Sequence, residues 1–157
     1  MERKINNPFD SEQNKCFGCS PSNHNGLKLE FTEKDDSVEA LWVPSAQFQG
    51  YPGVLHGGIT ATLMDETAAW CIYVKAGTAG VTSSMYVKYN QPVYISKGAV
   101  RIVASLVSRN ERYAEINCRL IDSGNNVCAE ADLKYFIYPV DIAIRRFRYP
   151  GKDKFFQ

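Results

Sequence analysis

Hydrophobic residues along the chain follow two kinds of pattern. In residues 26–33, GLKLEFTE, and 37–43, SVEALWV, apolar and polar positions alternate, with the turn-forming KDD between them. Period-two alternation broken by a turn predicts a β-hairpin. Pro44 closes the second strand, and 45–53, SAQFQGYPG, reads as loop. From Gly58 to Val74 the pattern changes, with 11 of 17 residues apolar and none that breaks a helix. The run is long for a strand, and KAGTAG at 75–80 ends it with glycine and a C-terminal Lys. A helix apolar nearly all round is a buried helix.

Four long β-like segments follow: 81–90, 99–108, 112–121 and 126–138. RNE at 109–111 and the turn-rich DSGNN are turn signals, so neighbouring strands run antiparallel. QPVYISKG at 91–98 is a longer link. The predicted order is β-β-α-β-β-β-β with one buried helix. A flat antiparallel sheet cannot enclose a helix, so the sheet must curl around it, as in the α+β hot-dog fold. One face of the helix still needs cover, and a partner subunit is the expected source. Residues 1–157 read as one domain, with 1–15 a polar, extended or loosely attached arm and 139–157 a basic tail. That tail carries five positive and two negative charges.

Composition changes this picture little. The chain is 45% hydrophobic and 22% charged with a net charge of +1, which argues against nucleic acid as a partner. No run approaches the roughly 18 apolar residues of a membrane span. MERKINNPFD lacks the apolar core of a signal peptide, so a cytoplasmic location is expected. Five cysteines without a framework pattern suit reduced thiols. Cys16 and Cys19 form a CxxC with His24 beyond, but no second CxxC or HxxxH completes a four-ligand zinc site. A tight turn packed on the domain is the simpler reading, and no metal or cofactor is expected.

The chemistry concentrates in YPGVLHGGITATLMDETAAW at 51–70. The first N–H groups of a helix have no internal partner and sit at the positive end of its dipole. Gly57 and Gly58 there form a candidate oxyanion hole, or else only allow a sharp loop-to-helix turn. His56 is a candidate for positioning that loop or bonding a carbonyl. Within the helix, Asp65 and Glu66 are carboxylates in apolar company, which is costly unless they are paired, hydrogen-bonded or in a cleft. They lie about 100° apart around the axis, so at least one should be structural or at the solvent edge. Eight residues separate Gly57 from Asp65, about 12 Å along a helix. One carbonyl can meet both only if they come from two subunits, so a working site requires a dimer with two equivalent sites.

HGGITATLMDE resembles the signature of PaaI-type acyl-CoA thioesterases of the hot-dog superfamily. FQGYPGVLHGG and CFGCSPSNHNGLKLEF are similar to the branch typified by human thioesterase superfamily member 4. The likeness covers about residues 16–138. It implies that Gly57 N–H, with His56 alongside, polarises a thioester carbonyl, and that Asp65 of the other subunit acts as general base or nucleophile. It implies a water-ordering hydroxyl from Thr82 or Ser83, Thr82 being favoured. Gly50 stands where some relatives carry an Asn, so that side chain's help is absent. Gly58, Tyr51, Ser83 and Lys88 are the expected substrate contacts. Lys88, Lys97, Arg145, Arg146 and Arg148 are candidates for coenzyme A phosphates or simply solvated surface. Phe48, Tyr51, Trp70 and Tyr73 are candidate acyl-pocket walls or core. A homodimer, with a dimer of dimers beyond it, is the expected assembly.

Two other readings remain. PGVL at 52–55 resembles the segment before the helix of acyl-carrier-protein dehydratases, although residues 25–51 lack the His base those enzymes use. A non-catalytic acyl-CoA binder would also retain the helix.

Overall fold

The computed structural model describes residues 1–9 and 12–157. Seven strands, β1 (Glu2–Ile5), β2 (Phe31–Lys34), β3 (Ser37–Trp42), β4 (Gly80–Tyr89), β5 (Val100–Arg109), β6 (Tyr113–Ile121) and β7 (Val127–Ile137), form one antiparallel sheet. Its order is β1-β2-β3-β5-β6-β7-β4, curved around the long helix α1 (Gly57–Cys71). This is the hot-dog fold. Strand alternation explains the wrapping. In β6, Ala114, Ile116, Cys118 and Leu120 are buried, and in β7 Ala131, Leu133, Tyr135 and Ile137 are buried beside them. Ile116 faces Leu133 and Cys118 faces Ala131 across the ladder, so one inner face is continuous. Leu63, Met64, Ala68 and Cys71 of α1 fill it with no exposed surface.

The helix continues as a π turn over Ile72–Ala76 and stops at Gly77, whose φ of +68° suits a residue without a Cβ. Lys75 in that turn reaches back 2.7 Å to Glu33 of β2, which also accepts from Arg3 of β1. The polar arm is therefore partly an edge strand tied through Glu33 to the helix end. Burial alone would raise the Glu33 pKa, but Lys75 and Arg3 outweigh it and the net shift is downward. A lowered folded-state pKa means stability present above the unfolded pKa and lost as pH falls through the folded one. Glu33→Gln is expected to cost about 3 kcal/mol at neutral pH, because Lys75 loses its buried partner. Urea denaturation at pH 7 and in acid checks this, since the difference from wild type should shrink in acid.

Two sequence expectations change. The hairpin's first strand begins at Phe31, not at residue 26. Leu27 and Leu29 donate instead to the carbonyls of Phe17 and Gly18, and Lys28 takes a φ of +52°. These bonds bend 26–30 onto the CxxC turn. The basic tail also folds: Val140–Phe147 is a second helix, α2, and Tyr149 and Phe155 are buried. Phe155 packs on Trp70, Tyr73 and Phe9. Its aromatics anchor a segment that stands out in the sequence by its charge.

Candidate active site

The loop before α1 is pinned by backbone bonds. His56 N–H donates to Phe48 O, Leu55 N–H to Val93 O and Gly50 N–H to Val54 O. This fixes His56 as the N-cap, and its Nδ1 accepts from Gly58 N–H at 2.9 Å. A neutral imidazole that accepts at Nδ1 carries its proton on Nε2. The cap uses the Gly58 N–H, so that group is occupied. Gly57 N–H makes no hydrogen bond among the described residues. Gly57 is exposed, and its carbonyl accepts from Tyr89 Oη at 2.7 Å, which moors the helix start to the end of β4. Gly50, Tyr51, Val54, Leu55, His56 and Gly57 line an open cavity of about 380 Å³. Tyr51, His56 and Gly57 therefore border the same opening, while Gly58 is not among its lining residues.

Asp65 lies two turns further along α1 and faces a different part of the sheet. Its Oδ1 accepts from Thr82 Oγ1 at 2.7 Å and from Tyr135 Oη at 2.6 Å. Tyr135 Oη also reaches the Asp65 carbonyl at 2.8 Å. Burial, and then the Asp65 charge, raise the Tyr135 pKa, so the phenol stays a donor. Both hydroxyls use Oδ1, and Oδ2 has no hydrogen bond to any described residue. Thr82 thus orients the acid directly. The ladder between β4 and β7 shifts register between Thr82 and Ser84, which places Ser83 in a β-bulge. β4 is the edge strand at the opposite end of the sheet from β1, pairs among the described residues only with β7 and is largely exposed, with Tyr86 at 70%. Lys88, further along β4, stands 4.0 Å from Glu130 and is mostly solvated.

Glu66 faces neither feature. Its Oε1 accepts from Trp70 Nε1 at 3.1 Å and from Cys16 Sγ at 3.4 Å, and burial pushes its carboxyl up to about 7. Trp70 and Tyr73 line that side, away from HGG, and Trp70 stacks on Phe31. Phe48 packs against Trp42 instead. Among the other predicted basic residues, Lys97 lies near Asp122, Arg145 pairs with Asp141, and Arg148 lines the Glu66 cavity.

Two site residues escaped the sequence reading, Tyr135 and Tyr89. Tyr135 occupies an ordinary inward position of β7, and only its need for a polar partner when buried could have marked it. Tyr89 ends an exposed strand and gave no signal.

Within one chain the two halves stay apart. The free Gly57 donor and Asp65 lie on one unbroken helix, eight residues or about 12 Å from each other.

Residues 52–129 match the family described as Thioesterase superfamily. The uncharacterized protein C26H8.11c of Schizosaccharomyces pombe is 28% identical over 94 residues, 57% of this chain and 54% of that protein. This chain thus spans about half the length of that relative. Among solved structures, protein RHA08564, a thioesterase superfamily protein, matches with a TM-score of 0.72 at 22% identity, over 79% of this chain and 60% of that one. The PaaI protein of the E. coli phenylacetic acid degradation operon matches at 0.65 and 15% identity, covering 73% of this chain and 82% of that one. A hypothetical thioesterase from Streptococcus pneumoniae, solved with coenzyme A, matches at 0.65 and 19% identity, covering 71% and 87%. At these identities the likeness is one of fold.

Proposed function

Starting from the match of residues 52–129 to the Thioesterase superfamily, we propose that this chain hydrolyses an acyl-CoA thioester to a free acid and CoA. The observation that carries the reading is the division of labour along α1. A free N–H at Gly57 and a carboxylate fixed at Asp65 are each half of a hydrolytic site, and one helix holds them too far apart to share a carbonyl. Two chains joined along the exposed edge of β4 would bring Gly57 of one beside Asp65 of the other, giving a homodimer with two equivalent sites. The thioester carbonyl accepts from Gly57 N–H, with the His56 Nε2 proton close by. Negative charge builds on that oxygen as water attacks, and removing one such donor typically costs about 10²–10³ in rate. Asp65 Oδ2 takes the proton from water as the water oxygen bonds the carbonyl carbon, or attacks that carbon itself to give an anhydride that water then hydrolyses. In either route the C–S bond breaks and CoA leaves as a thiol after taking up a proton. Thr82 and Tyr135 hold the carboxylate in one rotamer throughout.

Tyr51 and Ser83 flank the two halves, and Lys88 offers a cation to the coenzyme A phosphates. The solved S. pneumoniae protein with coenzyme A supports this ligand class for the fold. The PaaI-type signature HGGITATLMDE, the likeness of FQGYPGVLHGG to the human member-4 branch, a dimer of dimers and a cytoplasmic location belong to the same reading. Among the described residues no helix is long and apolar enough to cross a membrane.

An acyl-CoA panel with thiol detection tests it. Free CoA should appear with at least one chain length. Hydration of an enoyl thioester without CoA release would replace this reading with a dehydratase, and tight binding with neither reaction would leave a scaffold.

A further inference from the structure

A second cluster of reactive side chains lies about 100° around α1 from Asp65. Residues 16–19 form a tight turn held from several directions. Asn14 Oδ1 accepts from Cys16 N–H at 3.0 Å, and Ser20 N–H donates to Cys16 O. Leu27 and Leu29 N–H clamp the carbonyls of Phe17 and Gly18. Glu66 enters this turn from the helix. Cys16 Sγ, Cys19 Sγ and a Glu66 oxygen all lie within 4.8 Å of one another. A Cβ on Gly18 would stand 2.5 Å from Glu66 Cγ and Cδ, so a glycine at that position lets the carboxylate reach the sulfurs. Among the described residues no Lys, Arg or His forms an ion pair with Glu66.

Two sulfurs and a carboxylate, converging without a cationic partner, are a donor set for a metal ion. Around tetrahedral zinc, with bonds of about 2.3 Å to sulfur and 2.0–2.2 Å to oxygen, such donors stand roughly 3.5–3.8 Å apart. Cys16 Sγ and Glu66 Oε1 are already 3.4 Å apart. Thiolate donors favour zinc over magnesium or calcium, which take oxygen. Cys16, Cys19 and Glu66 all border a cavity of about 520 Å³ walled by Phe9, Trp70 and Tyr73, with Cys19 the most buried of the three. We propose that Cys16, Cys19 and Glu66 form a zinc site whose fourth position opens into this cavity. The site is independent of the thioester reading. It would lock the 16–20 turn to α1, one residue from Asp65.

The test uses the full chain, reduced, stripped with a chelator and then titrated with zinc alone against a chromophoric chelator. One zinc per chain is expected. Glu66→Gln keeps the size of the side chain and should weaken binding by more than about tenfold, the loss that even a residue supporting a metal ligand can cause. Cobalt(II) in the same site should give an intense near-ultraviolet thiolate band that weakens in Cys16→Ser. The band is read on the wild-type chain, so the test survives if a variant fails to fold. The proposal is overturned if stripped wild type binds zinc no more tightly than Cys16→Ser. It is equally overturned if cobalt gives no thiolate band, which would leave only a hydrogen-bonded thiol pair.

Discussion

Asp65→Asn is expected to reduce acyl-CoA hydrolysis by roughly 10²–10⁴, the usual contribution of a positioned base. The substitution preserves shape, and the amide oxygen can still accept from Thr82 and Tyr135 on the side where Oδ1 now sits. What it removes is the oxygen that takes the proton from water or attacks the carbonyl. The loss should fall on kcat, with KM nearly unchanged, because the carboxylate contributes to the transition state rather than to holding the acyl chain. Circular dichroism and sedimentation should match wild type. Turnover within about threefold of wild type would place the base elsewhere and remove Asp65 from the mechanism.

Gly57→Pro gives the second large effect, and it tests the two-chain site directly. Proline at the first helical position deletes the N–H yet suits the helix, since that donor has no internal partner. His56 before it is already extended, at φ −61° and ψ 133°, as a residue preceding proline should be. The expected loss is about 10²–10³ in kcat. Mixing the two dead variants then distinguishes the geometries. A mixed dimer of Asp65→Asn with Gly57→Pro holds one site with Gly57 from the first chain and Asp65 from the second, both intact. Half of randomly reassociated dimers are mixed, and each has one of two sites working, so about a quarter of wild-type activity should return. If both groups served one site within a single chain, no activity would return.

Much of this architecture was legible in the sequence, for physical reasons. The helix and the last four strands are long enough for their periods to stand out. Glu2–Ile5 was not legible, because four mostly polar residues carry no period and become a strand only by pairing with β2. Residues 26–30 carry the alternation of a strand, but backbone bonds to Phe17 and Gly18 bend them away, and no local pattern encodes that competition. In the tail the charges stand out in the sequence, while Tyr149 and Phe155, the residues that bury themselves, are two aromatics without a period. At the site, HGG and Asp65 were visible because glycine pairs and acids in an apolar helix are out of place. Tyr135 was not, because a tyrosine in a strand is ordinary. Glu66 meets Cys16 from 50 residues away in sequence and Cys19 from 47, so no local ligand spacing encodes their meeting.

The rigid spacing between Gly57 and Asp65 limits how the chain can change over time. Inserting or deleting one residue between them turns Asp65 by about 100°, off Thr82 and Tyr135, while leaving the helix itself intact. The stretch 57–65 is therefore freer to drift in composition away from its buried positions Thr60, Leu63 and Met64, but not in length. The loop before His56 ends at a fixed cap and can lengthen or shorten more freely. Among working relatives, gaps should gather before the HGG and be absent between it and the acid.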